Sequence, residues 1–130
     1  MTVAEKIKYW VDLSNNDFSV AETLINNRHN LYAGFMCHQA VEKIFKGYFT
    51  KVKNDTPPHI HNLIDISKRA ELYDLLNSEQ ISFIKKLNPL NIEARYPDYK
   101  NKIAQYLTDE NTKNIFEQTK ELLQWTKEKI

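Results

Sequence analysis

Five polar side chains recur within a short stretch of the chain, and together they could bind an anion. They are His38, Gln39, Glu42, Lys43 and Lys46. Three follow an i, i+4, i+8 spacing and the other two an i, i+4 spacing, so a helix places all five in one polar strip. If the strip lines a groove between helices, it offers donors to a phosphate group or a base edge. If it is a solvated face, its Glu42–Lys46 pair contributes roughly a few tenths of a kcal/mol.

A second set of candidate ligand-binding side chains surrounds Pro97. Arg95 offers a guanidinium fork that suits phosphate, Tyr96 offers a ring that can stack on a base, and Asp98 offers a carboxylate. In the alternative interpretation, Arg95 and Asp98 tie a proline-rich loop to the protein while Tyr96 packs against it. Both interpretations stay open, because fixed loops often hold binding residues.

The histidines and the single cysteine do not form a recognisable metal site. His59 and His61 lie two residues apart, a spacing that matches no standard zinc pattern, and no cysteine or acidic triad is near them. We therefore expect no metal and no cofactor. His61 is expected either to cap a short helix or to reach towards the polar strip. Cys37 falls on an apolar stripe and is predicted to be a small buried side chain.

The elements that must position these side chains are predicted to be helices. Apolar residues recur with the 3.6-residue period, and the chain has only two glycines and four prolines. The predicted fold is all-α, an antiparallel up-and-down four-helix bundle with an additional short helix. The predicted helices cover residues 3–27, 31–53, a short 62–71, a segment from Ser78 as its N-cap through Leu87, and 109–129.

Two further features concern the connections and the contacts between helices. Residues 88–98, which contain Pro89 and Pro97, are predicted to be a loop or a broken helix end, and residues 100–107 are ambiguous. Gly34 and Gly47 lie inside the second helix, where each costs roughly 1 kcal/mol relative to alanine. We expect them to permit the close approach of a neighbouring helix.

Length and charge restrict the class of protein. A chain of 130 residues is expected to form a single domain, over residues 1–130. The net charge of +1 provides no overall field for nucleic acid or an acidic membrane surface, so such contacts would require a local cluster. A single cysteine excludes an internal disulfide, and no apolar run is long enough for a signal peptide or a membrane span. We expect a cytoplasmic protein without membrane contact.

The nonapeptide HQAVEKIFK, residues 38–46, resembles the central signature of the HEPN family, the higher-eukaryote and prokaryote nucleotide-binding domain. The segments 57–63 and 94–98 resemble the start of the family's short third helix and its Arg-Tyr-Pro-Asp element, in the same order. The resemblance implies binding of a nucleotide or RNA. The ligand-binding residues it implies, together with the patterns above, are His38, Gln39, Glu42, Lys43, Lys46, His61, Arg95, Tyr96 and Asp98.

The resemblance also implies partners. Small HEPN proteins of this kind are often encoded beside a minimal nucleotidyltransferase and form a complex with it, sometimes as a toxin–antitoxin-like pair. Family members commonly form homodimers. A homodimer and a nucleotidyltransferase partner are therefore expected for this chain.

The ribonuclease pattern of the HEPN superfamily is missing from this chain. Ribonuclease members carry an arginine followed by a histidine after four to six residues, and none of Arg28, Arg69 and Arg95 has a histidine at that offset. The standard acid–base group is therefore absent, and we expect a binding module more than an enzyme. A metal-independent ribonuclease toxin that uses His38 or His61 from elsewhere in space stays an alternative, with no catalytic residue assigned. A ligand-free homodimeric interaction module is the third hypothesis.

Overall fold

The computed structural model describes residues 1–130 and consists of helices without any β-strand. Six α-helices are joined by short connections and by three single-turn 3-10 helices at Tyr73–Leu75, Asn88–Leu90 and Ile92–Ala94. The α-helices are α1 (Val3–Asn26), α2 (Asn30–Lys53), α3 (Leu63–Arg69), α4 (Ser78–Leu87), α5 (Pro97–Tyr106) and α6 (Asp109–Lys127). The predicted all-α class is therefore confirmed. None of these helices combines the length and the apolar character that a membrane span requires.

The helices α1 and α2 form a long antiparallel hairpin. Thr2 starts α1 through a capping box with Glu5, in which each side chain accepts a hydrogen bond from the backbone N–H of the other residue. The two helices approach closely at Gly47, because a Cβ atom added there would lie 3.3 Å from Cβ of Trp10. A Cβ atom added to Gly34 would lie 3.0 Å from Cδ1 of Leu107. The expected close approach of a neighbouring helix is confirmed at Gly47, whereas the side chains of Leu107 and Leu90, which approach Gly34, lie outside the α-helices.

The last helix, α6, runs parallel to α2. At one end Nδ2 of Asn30 donates to Oδ1 of Asp109 at 2.8 Å, and at the other end Nζ of Lys51 donates to the carbonyl of Lys129 at 3.0 Å. Parallel second and fourth helices are what an up-and-down bundle requires.

The helix α4 runs in the opposite direction to α2 and α6. Its first residues share a cleft with the C-terminal half of α6, where Asn77 and Trp125 both line the wall. Just beyond its end, Leu90 reaches Gly34 near the start of α2. The helices α1, α2, α4 and α6 thus alternate in direction, and α3 and α5 are additions to this bundle.

The start of α4 differs by one residue from the sequence prediction. Oδ1 of Asn77 accepts the N–H of Gln80 at 2.8 Å, and the Gln80 side chain accepts the N–H of Asn77 at 2.9 Å. This reciprocal capping box makes Asn77 the N-cap and Ser78 the first helical residue. Asparagine and serine cap helices about equally well, so residue type could not separate the two positions.

The largest departure from the prediction lies around Pro97. Residues 88–94 form 3-10 turns as part of the expected broken helix end, but Pro97 and Asp98 begin the regular helix α5. Proline is well suited to a first helical turn, where its missing N–H needs no partner, and it keeps the preceding Tyr96 extended. The ambiguous segment 100–107 is helical through Tyr106.

The helix α2 runs through the middle of the molecule. Thirteen of its 24 residues are buried, so its sides contact several other helices at once. Ile44 and Phe45 are fully buried in the apolar core together with Leu63 of α3 and Ile84 of α4. Cys37 is buried as predicted, and burial raises the pKa of its thiol to about 12.

Candidate functional site

Three polar side chains of α2 lie inside the protein. His38, Glu42 and Lys46 follow one another at successive turns, and their exposed fractions are 0, 2 and 6%. Charged side chains are almost never buried to this degree unless they are paired. We call these three residues the buried row, and their partners determine what the row can do.

Glu42 is the centre of the buried row. Its Oε2 accepts a hydrogen bond from Nζ of Lys46 at 3.0 Å, and its Oε1 lies 3.0 Å from Nδ1 of His61. A carboxylate paired with an ammonium group only accepts hydrogen bonds, so Nδ1 of His61 is the donor. In the neutral ring Nε2 of His61 is then an acceptor, on a side chain that is 61% exposed.

His61 is held at a second point by His38. Nε2 of His38 donates to the backbone carbonyl of His61 at 3.1 Å, since a carbonyl oxygen only accepts. Nδ1 of His38 is consequently a buried acceptor, and it has no hydrogen-bond partner in the protein. Two residues of α2 thus fix both the backbone and the ring of His61. The expected reach of His61 towards α2 is confirmed, while Asn62, not His61, caps α3.

Burial keeps the His38 imidazole neutral at neutral pH. Loss of hydration lowers the pKa of His38 from 6.5 to about 4, although the charge of Glu42 and the hydrogen bond to the His61 carbonyl oppose this shift. A neutral, fully buried ring cannot contact a ligand. His38 therefore positions His61 and does not itself bind.

Gln39 and Lys43 lie on another side of α2 and face α1. Nζ of Lys43 bonds Oδ2 of Asp17 at 3.3 Å and Oε1 of Gln39 at 3.1 Å. The prediction of one continuous polar strip is therefore wrong. The Lys43–Asp17 ion pair and the buried Glu42–Lys46 ion pair direct their side chains towards different neighbours.

His61 and Arg95 line the same surface depression, which has a volume of about 200 Å³. His61 lies just before α3, and Arg95 follows the 3-10 turn at Ile92–Ala94. The other lining residues are Asn62, Asn88, Asn91 and Ala94. We call this feature the His61–Arg95 depression. It connects to the buried row through His61 alone.

Arg95 is half-buried and weakly paired inside the protein. Its Nη2 lies 3.4 Å from the carbonyl of Asn88, at the long limit of a hydrogen bond, and its Nε is buried without a partner. No ion pair of the molecule involves Arg95. A guanidinium group that no carboxylate neutralises keeps its capacity to bind an anion.

The sequence did not point to the asparagines of the depression. Oδ1 of Asn62 accepts the N–H groups of Ile64 and Asp65 at 3.0 and 3.2 Å, and so caps α3. Oδ1 of Asn88 accepts the N–H of Leu63 at 2.8 Å, which ties the two segments of the depression together. An asparagine before an apolar helical segment is a readable N-cap signal. No local sequence pattern predicts the hydrogen bond between Asn88 and Leu63.

Tyr96 and Asp98 lie outside the His61–Arg95 depression. Tyr96 is 79% exposed, so the alternative in which its ring packs to fix the loop is wrong. Asp98 is exposed in the first turn of α5, a position that the helix dipole favours for an acidic side chain. Of the predicted binding residues, only His61 and Arg95 meet in one depression.

Other features of the surface do not coincide with these residues. A cleft of about 470 Å³ lies between α1, α2 and α6 and includes none of the predicted binding residues. Its walls carry charges of both signs, among them Glu22 and Lys113. The smaller depression is the better candidate for an anion site, because it holds a guanidinium group that forms no ion pair. No group of three or more His, Cys, Asp or Glu residues could hold a metal ion.

Comparison with known proteins gives one match, to a family model described as "HEPN domain" over residues 7–130. The chain belongs to the HEPN family. No curated protein and no solved structure matches it. The resemblance seen in HQAVEKIFK is thereby confirmed over nearly the whole chain. Membership of the HEPN family supports the conclusion that the domain is a module related to nucleotides or RNA.

Removal of the Glu42 carboxylate should destabilise this HEPN domain strongly. Glu42→Ala leaves Lys46 buried without its partner, and we expect the free energy of unfolding to fall by about 3–5 kcal/mol. Asp12→Ala is the matched control, because Lys8 and Asp12 form an exposed ion pair with the same i, i+4 spacing. It should cost less than about 1 kcal/mol. Urea denaturation followed by circular dichroism measures both, and equal losses would contradict the buried pairing.

The depressed pKa of His38 predicts a loss of stability in acid. The unfolded chain takes up a proton on His38 below pH 6.5, whereas the folded HEPN domain does so only near pH 4. Stability is therefore complete above pH 6.5 and declines as the pH falls towards 4. The contribution of this group is roughly 3 kcal/mol. In the wild type, the free energy of unfolding should fall between pH 7 and pH 4.5. In His38→Gln this fall should be smaller by most of the roughly 3 kcal/mol that His38 contributes. His59→Gln, at an exposed histidine, should keep the wild-type difference.

Proposed function

We propose that this HEPN domain binds the phosphate group of a nucleotide or of RNA in the His61–Arg95 depression. The observation that carries the proposal is that these two side chains, distant in the chain, line one depression. Arg95 supplies a positive charge that no carboxylate neutralises, and its planar fork matches two phosphate oxygens. The amide groups of Asn62 and Asn88 add neutral hydrogen-bonding groups on the same surface.

The other predicted residues would act through His61 or through the bundle. Glu42 orients the His61 ring, Lys46 neutralises Glu42, and His38 holds the His61 backbone. Gln39 and Lys43 join α2 to α1 beside them. In this proposal the buried row is a set of positioning residues, and the ligand touches only the residues at the surface.

The proposal extends to partners through the family. We infer that the domain acts with a minimal nucleotidyltransferase, as a toxin–antitoxin-like pair, and that it forms a homodimer. A binding domain of this size could hold the nucleotide or the RNA that the partner modifies. Support comes from the family resemblance, and co-purification of the two proteins from cells would test it.

Replacement of Arg95 should remove most of the phosphate affinity. A charge-assisted hydrogen bond contributes about 1.5–3 kcal/mol, so Arg95→Ala should weaken ATP or GTP binding about tenfold to a hundredfold. Isothermal titration calorimetry at low salt measures the change. Arg69→Ala, at an exposed arginine of α3 outside the depression, is the matched control and should bind as the wild type does. Equal affinity of all three proteins would contradict the proposed site.

A metal-independent ribonuclease is the second candidate, and one observation favours it. Nδ1 of His61 donates to Glu42, which leaves Nε2 as an oriented base in the same depression as Arg95. Nε2 could take the proton of a 2′-hydroxyl group as its oxygen attacks the phosphorus, while the guanidinium stabilises charge on the phosphate. The bond from phosphorus to the 5′-oxygen then breaks, and water supplies a proton to the departing 5′-oxygen. The histidine missing from the arginine-containing sequence pattern would then be supplied by a different segment.

The ribonuclease hypothesis predicts cleavage of RNA in the presence of a chelator. His61→Ala and Arg95→Ala should abolish it, and Glu42→Gln should slow it about tenfold or more, because the ring loses its charged hydrogen-bond partner. His59→Ala is the control at a neighbouring exposed histidine. A gel assay with a labelled RNA measures the rates. Intact RNA after incubation with the wild-type protein would eliminate this candidate and leave the binding function unaffected.

A further inference from the structure

The surface of α5 carries aromatic side chains that the rest of the chain does not cover. Tyr96, Tyr99 and Tyr106 are 79, 57 and 44% exposed. No residue of α5 is buried, and only Ile103 packs against the core. Single exposed aromatic residues are ordinary, but three of them on one short element form a patch that folding does not require.

The helical spacing places these residues on one flank of α5. Tyr99, Lys102 and Tyr106 are separated by three and four residues, so they lie one above the other along the helix. Nζ of Lys102 is 5.8 Å from the centroid of the Tyr99 ring. Tyr96 stands three residues before Tyr99, at the N-cap position. We call Tyr96, Tyr99, Lys102 and Tyr106 the tyrosine row.

The tyrosine row begins at Tyr96, the residue after Arg95 in the chain, although Tyr96 itself does not line the His61–Arg95 depression. Ten residues separate Tyr96 from Tyr106, which corresponds to about 15 Å along a helix. Stacked nucleotides advance by about 3.4 Å each. The row is therefore longer than one nucleotide and matches a strand of about four.

We propose that the ligand of the depression is a single-stranded nucleic acid whose bases stack along the tyrosine row. This inference rests on the proposed function, since the Arg95 guanidinium holds one phosphate at the start of the row. Aromatic side chains beside a cationic group are the usual platform for unpaired strands, because every base has a face that can stack. Lys102 forms no ion pair, so its ammonium group is available to a backbone phosphate.

A nucleic acid fits this surface better than a protein partner does. Ile103, the only large aliphatic side chain of α5, already packs inward, so the row offers no aliphatic centre for an interface. Tyrosine and arginine are common in protein interfaces, but lysine is depleted there, so Lys102 within the row favours the nucleic acid. The row combines three aromatic rings with one positive charge that forms no ion pair. That combination is complementary to bases and phosphates.

The test compares a mononucleotide with labelled single strands of eight residues, oligouridylate and oligodeoxythymidylate, in fluorescence anisotropy and competition. We expect both strands to bind more tightly than uridine monophosphate. Tyr99→Ala and Tyr106→Ala should each weaken strand binding by roughly fivefold to a hundredfold. Neither should change the affinity for the mononucleotide. Tighter binding of oligouridylate would indicate RNA as the ligand, and tighter binding of oligodeoxythymidylate would indicate DNA.

Three controls separate stacking from other effects. Tyr99→Phe keeps the ring and should bind within about twofold of the wild type, since the ring face provides the stacking. Tyr9→Ala, at an exposed tyrosine of α1, should have no effect. Tyr99→Ala should leave the dependence of log affinity on log salt unchanged, whereas Arg95→Ala should reduce its slope by about 0.7.

The outcomes distinguish this inference from the proposed function. If Arg95→Ala weakens the mononucleotide but the tyrosine variants bind strands normally, the tyrosine row is wrong and the phosphate site stands. If Arg95→Ala weakens neither ligand, the proposed function itself fails. If the tyrosine variants change the sedimentation mass and leave strand binding intact, the row is a protein interface, and the inference is overturned.

Discussion

The buried carboxylate of Glu42 is the interaction on which the candidate site depends. Both of its oxygens are occupied, one by the ammonium group of Lys46 and the other by the ring of His61. An ion pair inside a protein is seldom a strong source of stability, because the removal of two charges from water offsets most of their attraction. Its effect here is geometric. It fixes a surface histidine to the central helix, and His38 fixes the same residue through its carbonyl.

This arrangement connects the core to the surface in a short path. The apolar side of α2 packs in the core, its buried row holds His61, and His61 shares a depression with Arg95. A residue whose ring and backbone are each held by one hydrogen bond loses little further freedom when a ligand binds, so more of the interaction energy remains as affinity. Arg95, by contrast, is not held tightly. Its positive charge forms no ion pair and makes only one long hydrogen bond, to the carbonyl of Asn88. The Arg95 guanidinium supplies the donors that phosphate recognition needs, and a fixed acceptor nitrogen beside it is the geometry that acid–base chemistry on RNA would need.

Much of the fold could be predicted from the sequence, and the exceptions have identifiable causes. The periodicity of apolar residues located the long helices to within a few residues, and the interior Gly47 marked a close helix contact. The N-cap of α4 was misplaced because asparagine and serine compete for that role. The prediction lacks α5 because proline commonly ends a helix, whereas Pro97 occupies the first turn of α5, where proline is tolerated. For the site, residue types identified His61 and Arg95, but the contribution of Asn88 depends on a contact with Leu63 that leaves no local trace.

The sequence by itself determined the all-α class and the family, because periodicity, capping and a short motif are local properties of the chain. Only the tertiary structure decided which polar residues of α2 are buried, since five similar side chains on one helix divide between two sets of neighbours. It also decided that His61 and Arg95 meet, because segments that are distant in the chain are brought together by the packing of α3 and the 3-10 turns against α2. Side-chain chemistry can be read residue by residue. The distance between two side chains is set by the whole fold.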